Sequence, residues 1–182
     1  TGVFSDAPSF RAYTKGFTLG GPIIKAKLFF FGTYEEMSSS RSSPAFGPKG
    51  SSLVNVDITP AQLAAVQQVA KSKYGIDIGE PVASSSQKLT VKDSLLKLDW
   101  NVSDDHRVNV RFARTEQADP NFRGFGSNAL SLSSYWDREI KKLDTTVAQW
   151  FADWTPEFST ELKVSNRKYD KYFDTNSNLP SI

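Results

Sequence analysis

His106 is the only histidine in a chain of 182 residues, and it directly follows Asp104 and Asp105. An imidazole beside carboxylates is what a nucleophilic triad or a metal site uses. The run Asn101-Val102-Ser103-Asp104-Asp105-His106 is equally what a tight turn needs, because short polar side chains bond their own backbone there. Turn chemistry is enough to explain it. Glu35 and Glu36 are adjacent, so in a strand they face opposite ways and cannot share a proton. Gly20-Gly21-Pro22 lacks the Lys-Ser/Thr of a phosphate loop, and Asn101-Val102-Ser103 fits a glycosylation sequon by pattern alone. There is no cysteine, hence no disulfide framework and no thiolate metal site. No catalytic residue, metal or cofactor is therefore expected, and the chain is not read as an enzyme. The remaining chemistry-bearing residues are charges that alternate with apolar neighbours: Asp93, Lys97, Asp99, Arg107, Arg111, Lys163 and Arg167. They are candidates to line a ligand's route through a lumen, or simply form a solvated face.

Those charges sit on segments with strand character at about 12–22, 28–37, 88–101, 107–116, 139–154 and 161–172. The joints at 22–27, 102–106 and 155–160 are tight. Those at 38–87 and 117–138 are long, and another long one is expected after Phe173. Every second joint is short, so all short joints fall at one end of the strands. This sorting marks an outer-membrane β-barrel, with short periplasmic turns and long external loops. A soluble sandwich gives no reason for it. No apolar run approaches the ~20 residues of a spanning helix. The mean hydropathy of −0.41 looks soluble, but a barrel strand shows lipid only every second side chain. A net charge of +2 gives no bulk attraction to nucleic acid.

The faces follow from alternation. Ser94, Leu96, Leu98 and Trp100 alternate with Asp93, Leu95, Lys97 and Asp99. Val108, Val110 and Phe112 alternate with Arg107, Asn109 and Arg111. A soluble strand alternates too, so this hairpin alone does not decide. The Phe29-Phe30-Phe31 run blurs the second segment, where Thr33 and Glu35 are assigned inward. The unit Asp99-Trp100, a short turn, then Val108 and Val110 recurs as Asp153-Trp154, a short turn, then Leu162 and Val164. A tryptophan at fixed depth suits a membrane interface. Trp100 and Trp154 are therefore expected at one level in a periplasmic girdle; core tryptophans of a soluble sheet are the alternative. Ala148, Trp150 and Ala152 then face lipid, with Thr145, Gln149 and Asp153 inward. That register also sends Val147 and Phe151 inward, unless it slips there.

The 38–87 connection is rich in Ser, Pro and Gly at its ends and carries one helix, over about 60–74. Thr59 is the N-cap, Pro60 takes the first position and Gln62 completes a capping box. Ile58 and Leu63 are spaced for a hydrophobic staple, and Gly75 ends the helix. Leu63, Val66, Val69, Ala70 and Tyr74 form an apolar stripe expected to pack on neighbouring loops. The 117–138 connection has no motif.

The stretch Gly16-Phe17-Thr18-Leu19-Gly20-Gly21-Pro22-Ile23-Ile24-Lys25-Ala26-Lys27-Leu28-Phe29-Phe30-Phe31-Gly32-Thr33-Tyr34-Glu35 resembles the early barrel of TonB-dependent outer-membrane receptors, in particular the Oar-like branch. The run 97–107 resembles that branch's next hairpin, and 153–162 the one after. The resemblance implies a 22-stranded barrel closed by an N-terminal plug. Residues 1–182 would then be a partial barrel of about six strands from the second onward. The plug and the motif that contacts the TonB complex precede this region in the family, so no family functional residue is carried over.

The expected fold is all-β, an antiparallel transmembrane barrel segment in the outer membrane of a Gram-negative bacterium. The expected function is capture and energy-coupled import of a scarce, bulky ligand of unknown identity. Outer-membrane lipid and the TonB complex are the expected partners, and nucleic acid is not. A surface-binding or secretion-related barrel, a passive porin and a soluble all-β binding module are the alternatives.

Overall fold

The computed structural model describes residues 11–40, 46–81, 88–126 and 128–178. Strands β1 (Ala12–Ile24) and β2 (Leu28–Ser40) are followed by two short strands, β3 (Phe46–Gly47) and β4 (Val54–Asn55), and by helix α1 (Pro60–Tyr74). Then come β5 (Lys88–Asn101), β6 (His106–Asn121), β7 (Asp137–Thr155) and β8 (Phe158–Thr175). The six long strands form one antiparallel sheet in the order β1-β2-β5-β6-β7-β8, while β3 and β4 pair in parallel. The sheet is unclosed, as expected of a barrel segment, with β1 and β8 at its edges.

The strands run past the limits that alternation suggests. β2 reaches Ser40 and pairs it with Lys88, and β6 reaches Asn121 opposite Asp137. The long connections are therefore 41–87 and 122–136, not 38–87 and 117–138. A strand of about 9–11 residues crosses the bilayer, and these have 13 to 19. Their surplus at the long-loop end stands in water, where a serine run pairs as well as an apolar one. The doubtful β7 register does not slip. Pairing is continuous from Asp137 to Asp153, with an irregularity only between Asp153 and Thr155.

Paired residues share a face, so each cross-strand row can be followed across the sheet. One face carries Phe17, Leu19, Phe30, Leu96, Leu98, Trp100, Val108, Val110, Phe112, Trp150, Leu162 and Val164. Its apolar run ends at different heights. The first strongly polar residues are Lys15 and Glu36 on β1–β2, Ser94 and Arg114 on β5–β6, and Thr146 and Asn166 on β7–β8. Each hairpin ends one row lower than the one before it. The short turns descend in the same way: Ile24 pairs Leu28 in the row of Trp100 and Val108, β5–β6 closes one row below, and β7–β8 one row below that. One row is two residues, so the shift is one residue per strand. At about 3.3 Å per residue and about 4.8 Å between strands this is a slope of about 35°. Outer-membrane barrel strands tilt by about 35–45°.

Little of this sheet is core. Among the described residues few apolar side chains are buried, Val56, Trp136, Ile140, Val147 and Ala152 among them, whereas Phe17, Leu19, Leu162 and Val164 are each about 60% exposed. Such a face is stable only where lipid covers it, and open edges recruit further strands. The 182-residue chain alone is therefore expected to be polydisperse in detergent-free buffer and to lack a cooperative melt. Light scattering coupled to size exclusion, with a thermal scan, checks this; a sharp monomeric melt would overturn the lipid-facing assignment.

Candidate functional site

The face opposite the apolar one would line the lumen. The register puts Asp93, Lys97, Asp99, Arg107, Arg111, Lys163 and Arg167 together on it, with Thr33 and Glu35. Lys97 lies 2.9 Å from Asp99. Asp93 accepts a hydrogen bond from the Thr115 hydroxyl. Arg107 stacks over Phe151, 5.6 Å from its ring centre. Arg111, Lys163 and Arg167 have no carboxylate partner among the described residues. They surround buried Val147 and its neighbour Ser165: Arg111 pairs Val147, and Lys163 and Arg167 flank Ser165. Val147 and Phe151 thus point inward without strain, one under the basic side chains and one under a guanidinium.

At the long-loop end, α1 is fixed by its sequence. Thr59 Oγ1 accepts from Gln62 N at 3.3 Å, Thr59 N donates to Gln62 Oε1 at 2.8 Å, and Gly75 ends the helix at φ 68°. Its apolar stripe is not packed away as expected. No helix residue is buried, and Val66, Val69 and Tyr74 remain 46–71% exposed. They form one wall of a cleft of about 960 Å³. The other wall comes from the 122–136 connection, chiefly Leu130, Leu132 and Tyr135, and Ile76 and Ile78 also line the cleft. That volume is in the range of small-molecule pockets, and the lining is mostly apolar.

The two connections are joined by hydrogen bonds. Glu80 N donates to Ser133 Oγ at 3.0 Å and Ser133 N to Glu80 O at 2.8 Å; within the first connection, Gln67 Nε2 donates to Gly79 O at 2.7 Å and holds α1 to this joint. Asn176 Nδ2 ties Ser133 O to the end of β8 at 2.8 Å. Gly79 has φ +73°, and a Cβ there would meet Ser133 Oγ at 2.0 Å. Only glycine suits that joint. Trp136 anchors the second wall: it is buried, donates to Ser131 Oγ at 3.1 Å and meets Phe122 edge-on at 5.1 Å. The sequence reading missed this wall. The alternation of Leu130 and Leu132 beside Tyr135-Trp136 was the available signal.

At the short-turn end, Trp100 shares its row with Trp150, not with Trp154. Trp154 lies two rows nearer the turn. The tilt recovers one row, so Trp100 and Trp154 sit about one row apart rather than level. His106, the first residue of β6, is on this outward face. Its ring is 5.2 Å from that of Trp154 and 5.9 Å from that of Trp150. The Trp154 indole donates to Thr160 Oγ1 at 2.9 Å. His106 is therefore part of an aromatic cluster on the wall as well as a turn residue.

A family model described as an outer membrane beta barrel domain matches residues 2–48, about a quarter of the chain and the region of the β1–β2 hairpin. The match, the one-residue-per-strand tilt and the single apolar face agree, and an outer-membrane β-barrel domain implies the bacterial outer membrane. No curated protein and no solved structure matches the chain.

Two outcomes are expected. In lipid bilayers the fluorescence of Trp100, Trp150 and Trp154 is quenched by lipids brominated near the headgroup, whereas that of Trp136 is not; single-tryptophan variants measure this. Gly79→Ala breaks the Glu80–Ser133 joint at a local cost of about 1–3 kcal/mol. Amide exchange at residues 79–80 and 133 should quicken about tenfold or more, while the strand amides keep their protection.

Proposed function

We propose that the chain is the early barrel of a TonB-dependent receptor that captures a bulky, scarce ligand outside the cell and passes it inward without chemical change. The cleft between α1 and the 122–136 connection carries this reading. It is concave, mostly apolar and held by four hydrogen bonds at the end of the sheet that bears all the long connections. A passive pore needs no such platform. The resemblance of residues 16–35 to the early barrel of these receptors supports the finer identity.

On this reading the two connections make first contact, and the inward face lines the route with both signs of charge and the three cations Arg111, Lys163 and Arg167. Energy would come from the TonB complex, through the plug region that precedes this part of the barrel in the family. Of a siderophore, a peptide, a glycan or a corrinoid, the apolar walls favour those with substantial hydrocarbon or aromatic surface over a bare glycan. A surface-binding barrel without import would use the same cleft, so binding and uptake are separate readouts.

Deleting 55–76 from the complete receptor is expected to lower ligand uptake about tenfold or more, since one wall of the pocket is lost. Insertion into the outer membrane, read as heat-modifiable mobility on gels, should be unchanged. Binding lost together with uptake supports import through the cleft; binding lost from a protein that never accumulated ligand supports surface binding. Uptake unchanged by the deletion removes the cleft from the mechanism.

A further inference from the structure

Among the described residues, none that lines the cleft between α1 and the 122–136 connection is charged. Charges are close at hand in the chain: Lys71, Lys73, Asp77 and Glu80 on one side and Arg123 on the other. All five stay out of the lining. Arg123 is drawn to the sheet, 2.6 Å from Asp137 and stacked over Phe173 at 4.8 Å. Asp77 turns back to accept a hydrogen bond from Gly79 N at 2.9 Å. Lys73, one helical turn beyond Val69, is exposed and outside the lining.

The two walls differ in polar chemistry. The α1 side offers alkyl groups, with the single phenol of Tyr74. The facing wall sets the hydroxyls of Ser131, Ser134 and Tyr135 beside Leu130 and Leu132. Ser131 Oγ accepts from Trp136 Nε1 at 3.1 Å, which leaves its own O–H to donate. Hydroxyls answer neutral oxygen groups such as an alcohol, a carbonyl or an ether. An ionised group entering here would leave water for walls that hold no counter-charge, and burial without a partner is most costly for a charge. Hydrocarbon on the α1 side would instead cover Val66 and Val69, which otherwise stay in water. Charge complementarity thus fixes the class of occupant.

We propose that the cleft selects an uncharged amphiphile, with hydrocarbon or aromatic surface against α1 and neutral oxygen groups toward Ser131, Ser134 and Tyr135. Ligands that must bury a carboxylate, catecholate or phosphate are rejected at this step, whatever cations line the inward face. The proposal rests on the capture reading of the cleft and names the chemistry that it captures.

The test uses the complete receptor in phosphatidylcholine nanodiscs and two probes with one ring system. 1-Anilinonaphthalene is neutral, and 8-anilinonaphthalene-1-sulfonate is anionic. Both brighten on leaving water, and the receptor lacking 55–76, in the same nanodiscs, subtracts partition into lipid. Above that blank the neutral probe should bind about tenfold or more tighter than the sulfonate. Val69→Lys puts an ammonium into the lining. It should strengthen sulfonate binding several-fold and weaken that of the neutral probe, a gain that misfolding cannot mimic. Lys73→Gln should change neither. Sulfonate bound as tightly as the neutral probe, no sulfonate gain in Val69→Lys, or sulfonate lost in Lys73→Gln overturns the proposal and leaves capture by the cleft standing. Neither probe bound above the blank removes the capture reading and the proposal with it.

Discussion

The controlling constraint is the backbone hydrogen bond in hydrocarbon. A peptide N–H or C=O without a partner there costs several kcal/mol, because no water can replace it. Strands that cross must pair along their whole apolar length. The ladder does so without interruption from Thr90 to Asn101 against β6 and from Asp137 to Asp153 against β8. Irregularities occur only beside the short turns, between Pro22 and Ile24 and between Asp153 and Thr155. There water is close, and an unpaired group costs little. The same rule means that β1 and β8 must be paired by further strands wherever they lie in the bilayer.

Given a complete ladder, stagger and apolar pattern are no longer independent. A flat sheet with level turns would put its apolar limit in one row. Here both the turns and the limit descend one row per hairpin, so the apolar band is level with the membrane although the strands are oblique to it. The charged rows inherit this geometry. Arg114 lies at the apolar limit of its strand and Asp144 one row above that of its own, where reduced screening strengthens a two-bond guanidinium–carboxylate pair relative to one in open water.

Which parts were legible in the sequence follows from the same physics. Hairpins and faces were readable because they depend on neighbours two residues apart. Trp100 against Asp99, and Leu96 and Leu98 against Lys97, are local contrasts that survive without a register. The row of charges that alternates in sign across the outward face was not readable. Lys15, Glu36, Lys92, Glu116, Lys142 and Asp170 lie on six strands, and only the pairing aligns them. Each also breaks the apolar sequence of its own face, as in Leu98, Leu96, Ser94, Lys92, so the charges look like a strand ending when the strand in fact leaves the bilayer. The α1 caps were readable because Thr59, Gln62 and Gly75 act within one helix. The Gly79–Ser133 joint was not, since its partners are more than fifty residues apart.

The loop platform and the sheet differ in what holds them, and that difference suits their roles. Each strand is held by a full ladder on both sides, except at the edges. α1 is held by a capping box, a left-handed glycine and the single Gln67 bond to Gly79, with no buried side chain. A 15-residue helix of this composition is marginal on its own, and each cap contributes about 1 kcal/mol. The helix can therefore shift or open at small cost while the wall beneath stays rigid. The apolar side chains that a soluble protein would bury are left facing the cleft. A ligand that covers Val66, Val69, Tyr74 and Tyr135 would gain the burial energy the fold has not used, and closing the two walls over it would cost the sheet nothing.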